Sequence, residues 1–287
     1  MRRDGVLLLG GAGFIGSALA RRLAREKMPV HILGRHQEEQ LEQVLPQCGT
    51  VVHLACSTTP GASAANSSLE LGNLALTFRL LDLLKGQPET HLIFFSSGGT
   101  VYGNPQTLPV TEDSPIAPLS GYGAGKASQE FFCNALRAQG HAVTILRPSN
   151  AYGPGQTLKN GFGLVRTMLE HARAGTTLEV WGDGENIRDF IYIDDIVHAT
   201  AEFINLPRDS GTYNLGSGAG FSINQVRSIV EAQCGKALHS IRRPARGIDV
   251  RSVVLDSSRL HARLGWRPAV GLEDGVARIW NWLQRHG

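Results

Sequence analysis

The sequence predicts an α/β fold in which a doubly wound parallel sheet is followed by a smaller C-terminal lobe. Short apolar runs alternate with stretches of helical periodicity in the first half of the chain, as in successive β-α-β units. The first apolar run leads into a glycine-rich turn that opens a helix. We assign residues 1–150 mainly to the sheet domain and residues 151–287 mainly to the lobe, with some later segments returning to the sheet domain.

The stretch that begins at Val6 is read as strand, glycine turn and helix. Val6–Leu9 has the length of a buried strand, and Ser17–Arg25 has one apolar face with arginines outside. In a Rossmann-type turn, the first glycine allows the bend, the second lets a pyrophosphate approach, and the third lets helix pack on strand. The helix N-terminus then offers N–H groups to the phosphates. The predicted cofactor residues of this turn are Gly10, Gly13, Phe14, Ile15 and Gly16.

Composition describes an ordinary globular protein, with 42% hydrophobic and 18% charged residues. The net charge of +3 does not suggest a nucleic-acid or anionic-membrane surface, and no apolar run is long enough to span a bilayer. The N-terminus resembles a secretory signal, but glycines interrupt its apolar run and two arginines follow it. The four cysteines lack CxxC spacing, which favours free thiols, no metal site and a cytoplasmic location.

The end of the second strand bears on the cofactor. Pro29–Leu33 is the predicted strand, and an acidic residue normally follows such a strand to bind the ribose 2′-hydroxyl of NAD. Here Gly34, Arg35 and His36 follow instead. An arginine without the carboxylate suits the 2′-phosphate of NADP. The alternative is that Arg35 stacks on adenine while NAD binds through other contacts, so the cofactor is predicted to be NAD or NADP, with a preference for NADP.

The next crossover is short. A helix is predicted over Glu38–Leu45 and a strand over Thr50–Ala55, which leaves no room for an additional strand and helix. The small, polar segment Cys56–Ala65 is predicted to be a loop, and Leu69–Lys85 a helix. Asn73 on that helix is interpreted as a site residue or as a plain surface amide. The cofactor residues predicted here are Leu54, Ala55, Cys56, Thr58 and Asn73.

The candidate catalytic pair follows the next strand, His91–Phe95. Tyr122 and Lys126 are four residues apart, so they share one face of a helix that Ser120 is placed to cap. An ammonium near a phenol lowers the pKa of the phenol, and the tyrosine then becomes a base usable near neutrality. A hydroxyl donor beside the phenol would polarise an alcohol or carbonyl.

The alternation of strands and helices loosens beyond a strand at Val143–Leu146. The elements predicted there are helix Gly163–Ala174, strands Leu178–Trp181 and Asp189–Ile193, helix Asp194–Asn205, strand Gly211–Leu215, helix Ser222–Cys234 capped by Ser222, and helix Leu272–Gln284.

Motifs along almost the whole chain resemble those of one family. They are GGAGFIG, HLA, SSGGTVYG, YGAGK, LRPSNAYGPG, GDGENIRDFIYIDD, YNLGSG and LGWRP. Their order resembles that of the extended short-chain dehydrogenases/reductases, nearest the NAD(P)-dependent nucleotide-sugar epimerases typified by UDP-galactose 4-epimerase. The resemblance implies a Rossmann sheet, a lobe that holds a nucleoside diphosphate sugar, and a homodimer.

The resemblance also implies substrate residues. Asn150 looks like the family's diphosphate-contacting asparagine, Arg188 like its phosphate-binding arginine, and Arg246 like a second phosphate ligand with Asp249 as its acidic partner. Guanidinium groups suit a diphosphate. Arg188 has an alternative, an ion pair with Asp189 or Asp194. Trp181 is predicted to flank the base or to pack in the core. Ser96 and Pro148 complete the predicted cofactor site.

One departure from the family pattern concerns catalysis. The position that usually holds a catalytic serine or threonine is Gly98. Glycines at this loop allow unusual backbone angles, so Ser97 is predicted to supply the hydroxyl, with Thr100 as second choice and Ser96 pointing away.

The leading prediction is an enzyme that interconverts UDP-sugars at C4 through a 4-keto intermediate. A 4,6-dehydratase is disfavoured, because Gly99 and Thr100 stand where that branch has an Asp-Glu pair. The alternatives are an NADPH-dependent reductase of nucleotide 4-keto sugars and, ranked lower, a non-catalytic cofactor-sensing module. Relatives of the last kind usually lack the tyrosine or the lysine.

Overall fold

A computed structural model describes residues 4–158, 162–206 and 208–286. The strands in chain order are β1 (Gly5–Leu9), β2 (Val30–Leu33), β3 (Cys48–His53), β4 (His91–Phe95), β5 (Val143–Pro148), β6 (Asn150–Tyr152), β7 (Leu178–Trp181), β8 (Ile187–Tyr192), β9 (Gly211–Leu215), β10 (Gly220–Ser222), β11 (Ser240–Arg243) and β12 (Ser252–Val253). The helices are α1 (Phe14–Arg25), α2 (Leu41–Val44), α3 (Pro60–Ala65), α4 (Glu70–Lys85), α5 (Gly121–Ala138), α6 (Leu164–Ala174), α7 (Ile193–Asn205), α8 (Ile223–Cys234), α9 (Ser258–Leu264) and α10 (Leu272–His286). None of these helices combines the length and the hydrophobicity that a membrane crossing needs.

The chain forms two compact units. Unit 1 consists of the chain up to Ser97, Gly121–Arg147 and Ile196–Tyr213. Unit 2 consists of Gly98–Ser120, Pro148–Asp195 and the chain from Asn214 onward.

The chain changes unit more often than the single predicted boundary near residue 150 implies. The segment Gly98–Ser120 belongs to unit 2, although the sequence analysis places it in the sheet domain. Backbone hydrogen bonds explain this: Gly98 N–H donates to Pro148 O at 2.8 Å, and Val110 N–H donates to Val254 O at 2.7 Å. The segment 196–213 lies in unit 1.

Unit 1 is built on a six-stranded sheet of order β2-β1-β3-β4-β5-β9. Strands β1 to β5 pair in parallel along this order. Strands β1 and β4 are buried along their whole length, which explains why their sequences are uninterrupted apolar runs. This confirms the predicted Rossmann-like, mostly parallel sheet.

The crossover between β2 and β3 is as short as its sequence predicts. Between Leu33 and Cys48 the chain makes α2 and two short 3₁₀ turns. Among the described residues no strand lies beyond β2, so β2 is an edge of the sheet. Ile32 on this edge strand is exposed.

Several predicted boundaries were wrong, for local reasons. Helix α1 begins at Phe14 rather than Ser17, because Gly13 takes the N-cap position directly after the turn. The predicted loop over Cys56–Ala65 contains α3, whose Thr59 side chain caps the helix by accepting Ala62 N–H. Strands β6, β10 and β12 were not predicted, because they are too short to show periodicity. Strand β11, which is mostly exposed and carries two arginines, and helix α9 were not predicted either.

Unit 2 is organised around β8. This strand pairs with β6, β10 and β12, and β7 pairs separately with β11. Ser222 caps α8 as predicted, and it forms a reciprocal capping box with Gln225.

A buried ion pair in unit 1 generates a stability prediction. Arg147 at the end of β5 donates to both carboxylate oxygens of Glu130 on α5, with its shortest contact 2.6 Å, and both side chains are buried. Arg147→Ala leaves Glu130 as an unpaired buried charge, so urea unfolding should show a loss of about 3–5 kcal/mol. The exposed pair of Arg79 with Glu42 provides the control, and Arg79→Ala should cost less than about 1 kcal/mol.

The double variant Arg147→Met/Glu130→Leu should recover most of the loss, because it removes both charges together. Equal losses in Arg147→Ala and Arg79→Ala would contradict the assignment of a buried, desolvated pair.

Candidate active site

The glycine turn of unit 1 is shaped by two close backbone approaches. Gly10 has φ +89°, and a Cβ there would lie 2.5 Å from the backbone nitrogen of Ala55. A Cβ on Gly16 would lie 2.5 Å from the Cα of Gly11. Because backbone atoms cannot yield as a flexible side chain can, the fold requires glycine at both positions.

The N-terminus of α1 fits a phosphate-bearing cofactor. Gly13 is its N-cap and no side chain caps the helix, so the first N–H groups face outward without a side-chain acceptor. Gly13 is exposed, and a Cβ there would meet only the carbonyl oxygen of Gly10, at 3.2 Å. Phe14 and Ile15, both half-buried, begin the helix beside this opening. The glycine turn and the helix N-terminus therefore suit a dinucleotide pyrophosphate.

The end of β2 presents two exposed side chains, Arg35 and His36. Gly34 N–H donates to Gln37 Oε1 at 2.8 Å, and His36 adopts a left-handed conformation with φ +66°. The hydrogen bond that the Gln37 side chain accepts closes this turn. Arg35 lies in the turn with its side chain exposed to solvent. Arg35 is thus available to a ligand phosphate or to a ring that stacks on it.

The loop after β3 is held by Asn73 on α4. The side-chain amide nitrogen of Asn73 donates to Thr58 Oγ1 at 2.9 Å and to Glu70 Oε2 at 2.8 Å. Its oxygen accepts the backbone N–H and the hydroxyl of Ser57, at 2.8 and 3.0 Å. Asn73 is buried, so the interpretation of it as a plain surface amide is wrong. Its amide instead fixes the loop on which the predicted cofactor residues Cys56 and Thr58 lie.

The same loop begins against the glycine turn. Leu54 N–H donates to Leu9 O at 2.8 Å, which carries the β1–β3 pairing one residue beyond the strand end. Ala55 is the residue that Gly10 approaches. Both Leu54 and Ala55 are half-buried.

Lys126 is anchored beneath the sheet's carboxyl edge. It is buried, its Nζ donates to Phe95 O at 2.9 Å, and the same nitrogen lies 5.1 Å from the centroid of the Phe94 ring. Nearby, burial and the charge of Lys126 lower the pKa of His53 to about 3, so this histidine is neutral.

Tyr122, one helical turn before Lys126, is half-buried. Burial raises the pKa of Tyr122 well above its usual value, and Cys56 and the charge of Glu70 raise it further. The predicted lowering of this pKa is therefore wrong for the protein without ligands. Desolvation of the phenolate outweighs the expected effect of an ammonium one turn away.

The hydroxyl-bearing residues of the serine–glycine segment after β4 differ in burial. Ser96 is buried and its Oγ has no hydrogen-bond partner, whereas Ser97 and Thr100 are half-buried. Gly98 is buried and tied through its N–H to the carbonyl of Pro148. The assignment of Ser97 or Thr100 as the hydroxyl donor stays a prediction.

In unit 2, the buried carboxylate of Asp189 joins several segments. It accepts hydrogen bonds from Ser149, Ser217, Gly218 and Leu255. Burial raises the pKa of Asp189, and these donors oppose the rise. Asp189 is thus a structural centre of β8 and its neighbours.

Two of the predicted substrate residues lie beside this centre. The Asn150 side-chain amide donates to Asp189 O at 2.8 Å. Arg188 donates to the backbone oxygen of Ile187 at 2.9 Å, and its pKa is lowered by burial and supported by Asp249. Among the described residues Arg188 forms no ion pair, and the carboxylate of Asp189 is occupied by other donors. The alternative ion pair of Arg188 with Asp189 or Asp194 is therefore wrong.

Arg246, Asp249 and Trp181 form a second cluster in unit 2. Arg246 makes a two-pronged ion pair with Asp249, both contacts at 2.9 Å. The guanidinium carbon of Arg246 lies 4.9 Å from the centroid of the Trp181 ring. Trp181 is 37% exposed, so it is not a core residue. A cation stacked on an exposed indole suits a ligand with a phosphate and a flat ring.

No role was predicted for Glu70 from the sequence. Glu70 is buried at the start of α4, on the face that also carries Asn73 and Thr77. These three polar residues lie on one face of an otherwise apolar helix, and this spacing was the signal that could have identified Glu70 as a buried residue. No cluster of metal-ligating side chains occurs in the part of the chain that the structure describes.

Known proteins share this architecture over the full chain. The solved structure of Thermotoga maritima UDP-glucose 4-epimerase with UDP-glucose has a TM-score of 0.91 and 29% identity, covering 98% of this chain and 99% of that chain. The Thermus thermophilus UDP-glucose 4-epimerase in complex with NAD has a TM-score of 0.91 and 27% identity, covering 99% of this chain and 100% of that chain.

A relative of different activity is about as similar. The dTDP-4-dehydro-6-deoxyglucose reductase of Escherichia coli is 28% identical, over 97% of both chains. The sequence model of the NAD-dependent epimerase/dehydratase family matches residues 6–216. With the glycine turn, the Tyr122–Lys126 pair and the parallel sheet of unit 1 in place, the chain belongs to the NAD-dependent epimerase/dehydratase family.

Proposed function

We propose that the protein is a nicotinamide-dependent epimerase that interconverts UDP-sugars at C4. The observation that carries the proposal is the Tyr122–Lys126 pair on α5, in the same unit as a dinucleotide-type glycine turn. The Thermotoga relative, solved with UDP-glucose, supports a UDP-sugar as substrate.

In the proposed reaction, Tyr122 removes the proton of the C4 hydroxyl and later returns a proton to the same oxygen. Lys126, fixed on Phe95 O, supplies the positive charge that steadies the phenolate and a donor for a ribose hydroxyl. The bound nicotinamide supplies the chemistry of hydride removal and return at C4. Transfer of the hydroxyl proton to Tyr122 and of a hydride from C4 to a bound nicotinamide would give a 4-keto sugar as the intermediate.

The diphosphate of the substrate is proposed to bind in unit 2. Arg188 and Arg246 supply guanidinium donors, Asn150 an amide, and Asp249 orients Arg246. Trp181 offers the face of its ring to the base. A diphosphate that stays bound keeps the keto sugar from leaving before the hydride returns.

A hydroxyl donor next to the C4 oxygen is also proposed. Because Gly98 has no side chain, Ser97 is the first candidate and Thr100 the second.

An NADPH-dependent reductase of nucleotide 4-keto sugars is the second candidate. Arg35 is exposed at the end of β2, where a 2′-phosphate would lie, and the Escherichia coli relative is a reductase. A cofactor-sensing module without catalysis is disfavoured, because both Tyr122 and Lys126 are present.

We also propose that the protein forms a homodimer through α4 and α5. These helices expose Leu71, Phe78, Phe131 and Phe132, and the rings of Phe78 and Phe132 meet edge to face with centroids 4.5 Å apart. A contiguous apolar face of this kind is typical of a subunit interface.

The decisive experiment is to supply UDP-galactose with and without added NAD, NADP or their reduced forms. An epimerase should form UDP-glucose without net consumption of cofactor, and Tyr122→Phe should abolish turnover while cofactor affinity stays nearly intact. Stoichiometric oxidation of NADPH with a 4-keto sugar and no interconversion of UDP-sugars would favour the reductase. More than about a tenth of the wild-type rate in Tyr122→Phe would exclude Tyr122 as the general base.

Cofactor choice is tested at Arg35. If its guanidinium binds a 2′-phosphate, Arg35→Ala should weaken NADP binding about tenfold or more and leave NAD binding almost unchanged. Fluorescence titration with each cofactor measures both affinities. Equal weakening for NAD and NADP would show that Arg35 only stacks on adenine.

The diphosphate residues are tested by UDP binding in a calorimeter. Arg188→Ala and Arg246→Ala should each raise the dissociation constant for UDP by more than about tenfold, because each removes a charge-assisted contact. Arg79→Ala, a change in an exposed ion pair of unit 1, is the control. Unchanged affinity in both test variants would place the substrate elsewhere.

A further inference from the structure

The ammonium of Lys126 has lost most of its contact with water, because only 4% of this residue is exposed. Among the residues that the structure describes, no carboxylate lies within ion-pair distance of its Nζ. Glu130, one turn further along α5, is bound by Arg147 instead. A buried cation is costly unless other groups compensate its charge. We therefore looked for the compensation among the uncharged groups that contact Nζ.

The aromatic ring of Phe94 is one of these groups. Nζ of Lys126 lies over the ring, 5.1 Å from its centroid, which is within the distance of about 6 Å at which the negative ring face attracts a cation. Phe94 is fully buried, so solvent screens the contact little and the attraction is stronger than at an exposed site. The second group is the backbone oxygen of Phe95, at 2.9 Å. Two adjacent residues at the end of β4 thus hold the ammonium.

The ring of Phe94 is in turn held from β3. In the parallel pairing of β3 with β4, His53 is the partner of Phe94, and the two rings meet edge to face with centroids 5.5 Å apart. His53 Nε2 lies 3.0 Å from Thr77 Oγ1 on α4. Burial and the charge of Lys126 lower the pKa of His53 to about 3, so at neutral pH this neighbour carries no charge that would compete for the ring.

The support of His53 includes both helices that cover this face of the sheet. Thr77 Oγ1 accepts a hydrogen bond from Gln129 Nε2 at 2.6 Å and donates to Asn73 O at 2.9 Å. Gln129 lies on α5, three residues after Lys126. One set of contacts therefore joins β3, β4, α4 and α5 around the ring and the ammonium, all within unit 1.

We propose that Phe94 is a positioning residue for Lys126: the face of its buried ring takes the place of a carboxylate and holds the ammonium at the carboxyl end of β4. The proposal rests on the proposed function, in which Lys126 steadies the phenolate of Tyr122 and donates to a ribose hydroxyl. A ring attracts a cation without acting as a strong, directed acceptor. The N–H groups that are not bound to Phe95 O therefore stay available to a ligand.

The first test weakens the ring face and keeps its shape. Phe94 is replaced, through a reassigned stop codon, by 4-fluoro-, 3,5-difluoro- and 3,4,5-trifluorophenylalanine, because each fluorine withdraws electron density with little change in volume. The Kd of NAD or NADP, whichever binds more tightly, should rise stepwise to about tenfold in the trifluoro protein. Fluorescence titration measures it.

The matched control is the same series at Phe203, a buried residue of unit 1 whose ring packs on that of Tyr213. Fluorination there should leave cofactor affinity unchanged. A Kd that stays constant along the Phe94 series, or that rises equally along the Phe203 series, would overturn the positioning role of Phe94.

Turnover gives a second measurement along the same series. With UDP-galactose as substrate, kcat should fall stepwise to about a tenth in the trifluoro protein, because the ammonium beside Tyr122 is less firmly held. KM for UDP-galactose should stay constant, because the residues proposed to bind the diphosphate lie in unit 2. A rise in KM at constant kcat would contradict the proposal.

A third measurement requires neither cofactor nor substrate. Urea unfolding is measured for the unaltered chain, the trifluoro protein at Phe94, Lys126→Met and the combination of both changes. Fluorination should lower the equilibrium constant for folding about tenfold more when Lys126 is present than in the Lys126→Met background. Effects of fluorine on packing cancel between the two backgrounds. Equal effects of fluorination in both backgrounds would refute the contact between ring and ammonium.

This proposal and the proposed function fail separately. If the protein does not interconvert UDP-sugars, the proposed function is refuted, whereas the unfolding cycle and the cofactor titration still decide the role of Phe94. A tenfold effect in the unfolding cycle with constant cofactor affinity and constant kcat would reduce Phe94 to a residue of the core, and it would overturn the positioning role.

Discussion

The approach of the Gly10 backbone to the backbone of Ala55 is the constraint on which unit 1 depends. Parallel pairing of β1 with β3 brings the two loops at their carboxyl ends together, and no side chain fits between them. The glycine turn can therefore form only if the next loop is held in place. Asn73 holds that loop through Ser57 and Thr58. One steric requirement thus links the glycine turn to the loop that Asn73 holds.

In unit 2, a buried carboxylate rather than a glycine holds separate segments of the chain together. Asp189 gathers donors from several segments of the chain, and Asn150 and Arg188 are placed beside it. A buried carboxylate is expensive unless its oxygens are satisfied, and here they are. The buried hub therefore gives the half-exposed arginine and asparagine a fixed framework. Buried polar groups thus hold in place partly exposed side chains that could contact a ligand.

The departures from the family pattern occur at predicted ligand-binding positions rather than in the scaffold. The short crossover leaves β2 as a sheet edge with Arg35 exposed at its end, and Gly98 removes the usual hydroxyl. The parallel sheet and the Tyr122–Lys126 pair are retained. Because family members of similar identity include an epimerase and a reductase, the scaffold does not decide the reaction. We expect the side chains of the candidate site, among them Tyr122 and Arg35, to decide it.

The sequence by itself determined the features that depend on neighbours in the chain. The apolar run before Gly10, the helix after it and the four-residue spacing of Tyr122 and Lys126 are local signals, and they predicted the sheet domain and the candidate catalytic pair. The short crossover after Gly34 likewise predicted that no further strand lies beyond β2. Each of these predictions depends on residues that are close together in the sequence, where helical periodicity and backbone sterics determine the local structure.

Only the tertiary structure decided how distant residues act on one another. Gly98–Ser120 joins unit 2 through hydrogen bonds to residues far along the chain, and Glu70 is connected to the loop after β3 through Asn73 and Thr58. The direction of the Tyr122 pKa was mispredicted for the same reason. Desolvation and the field of a carboxylate depend on which atoms surround the phenol in space, and the spacing of residues in sequence does not contain that information.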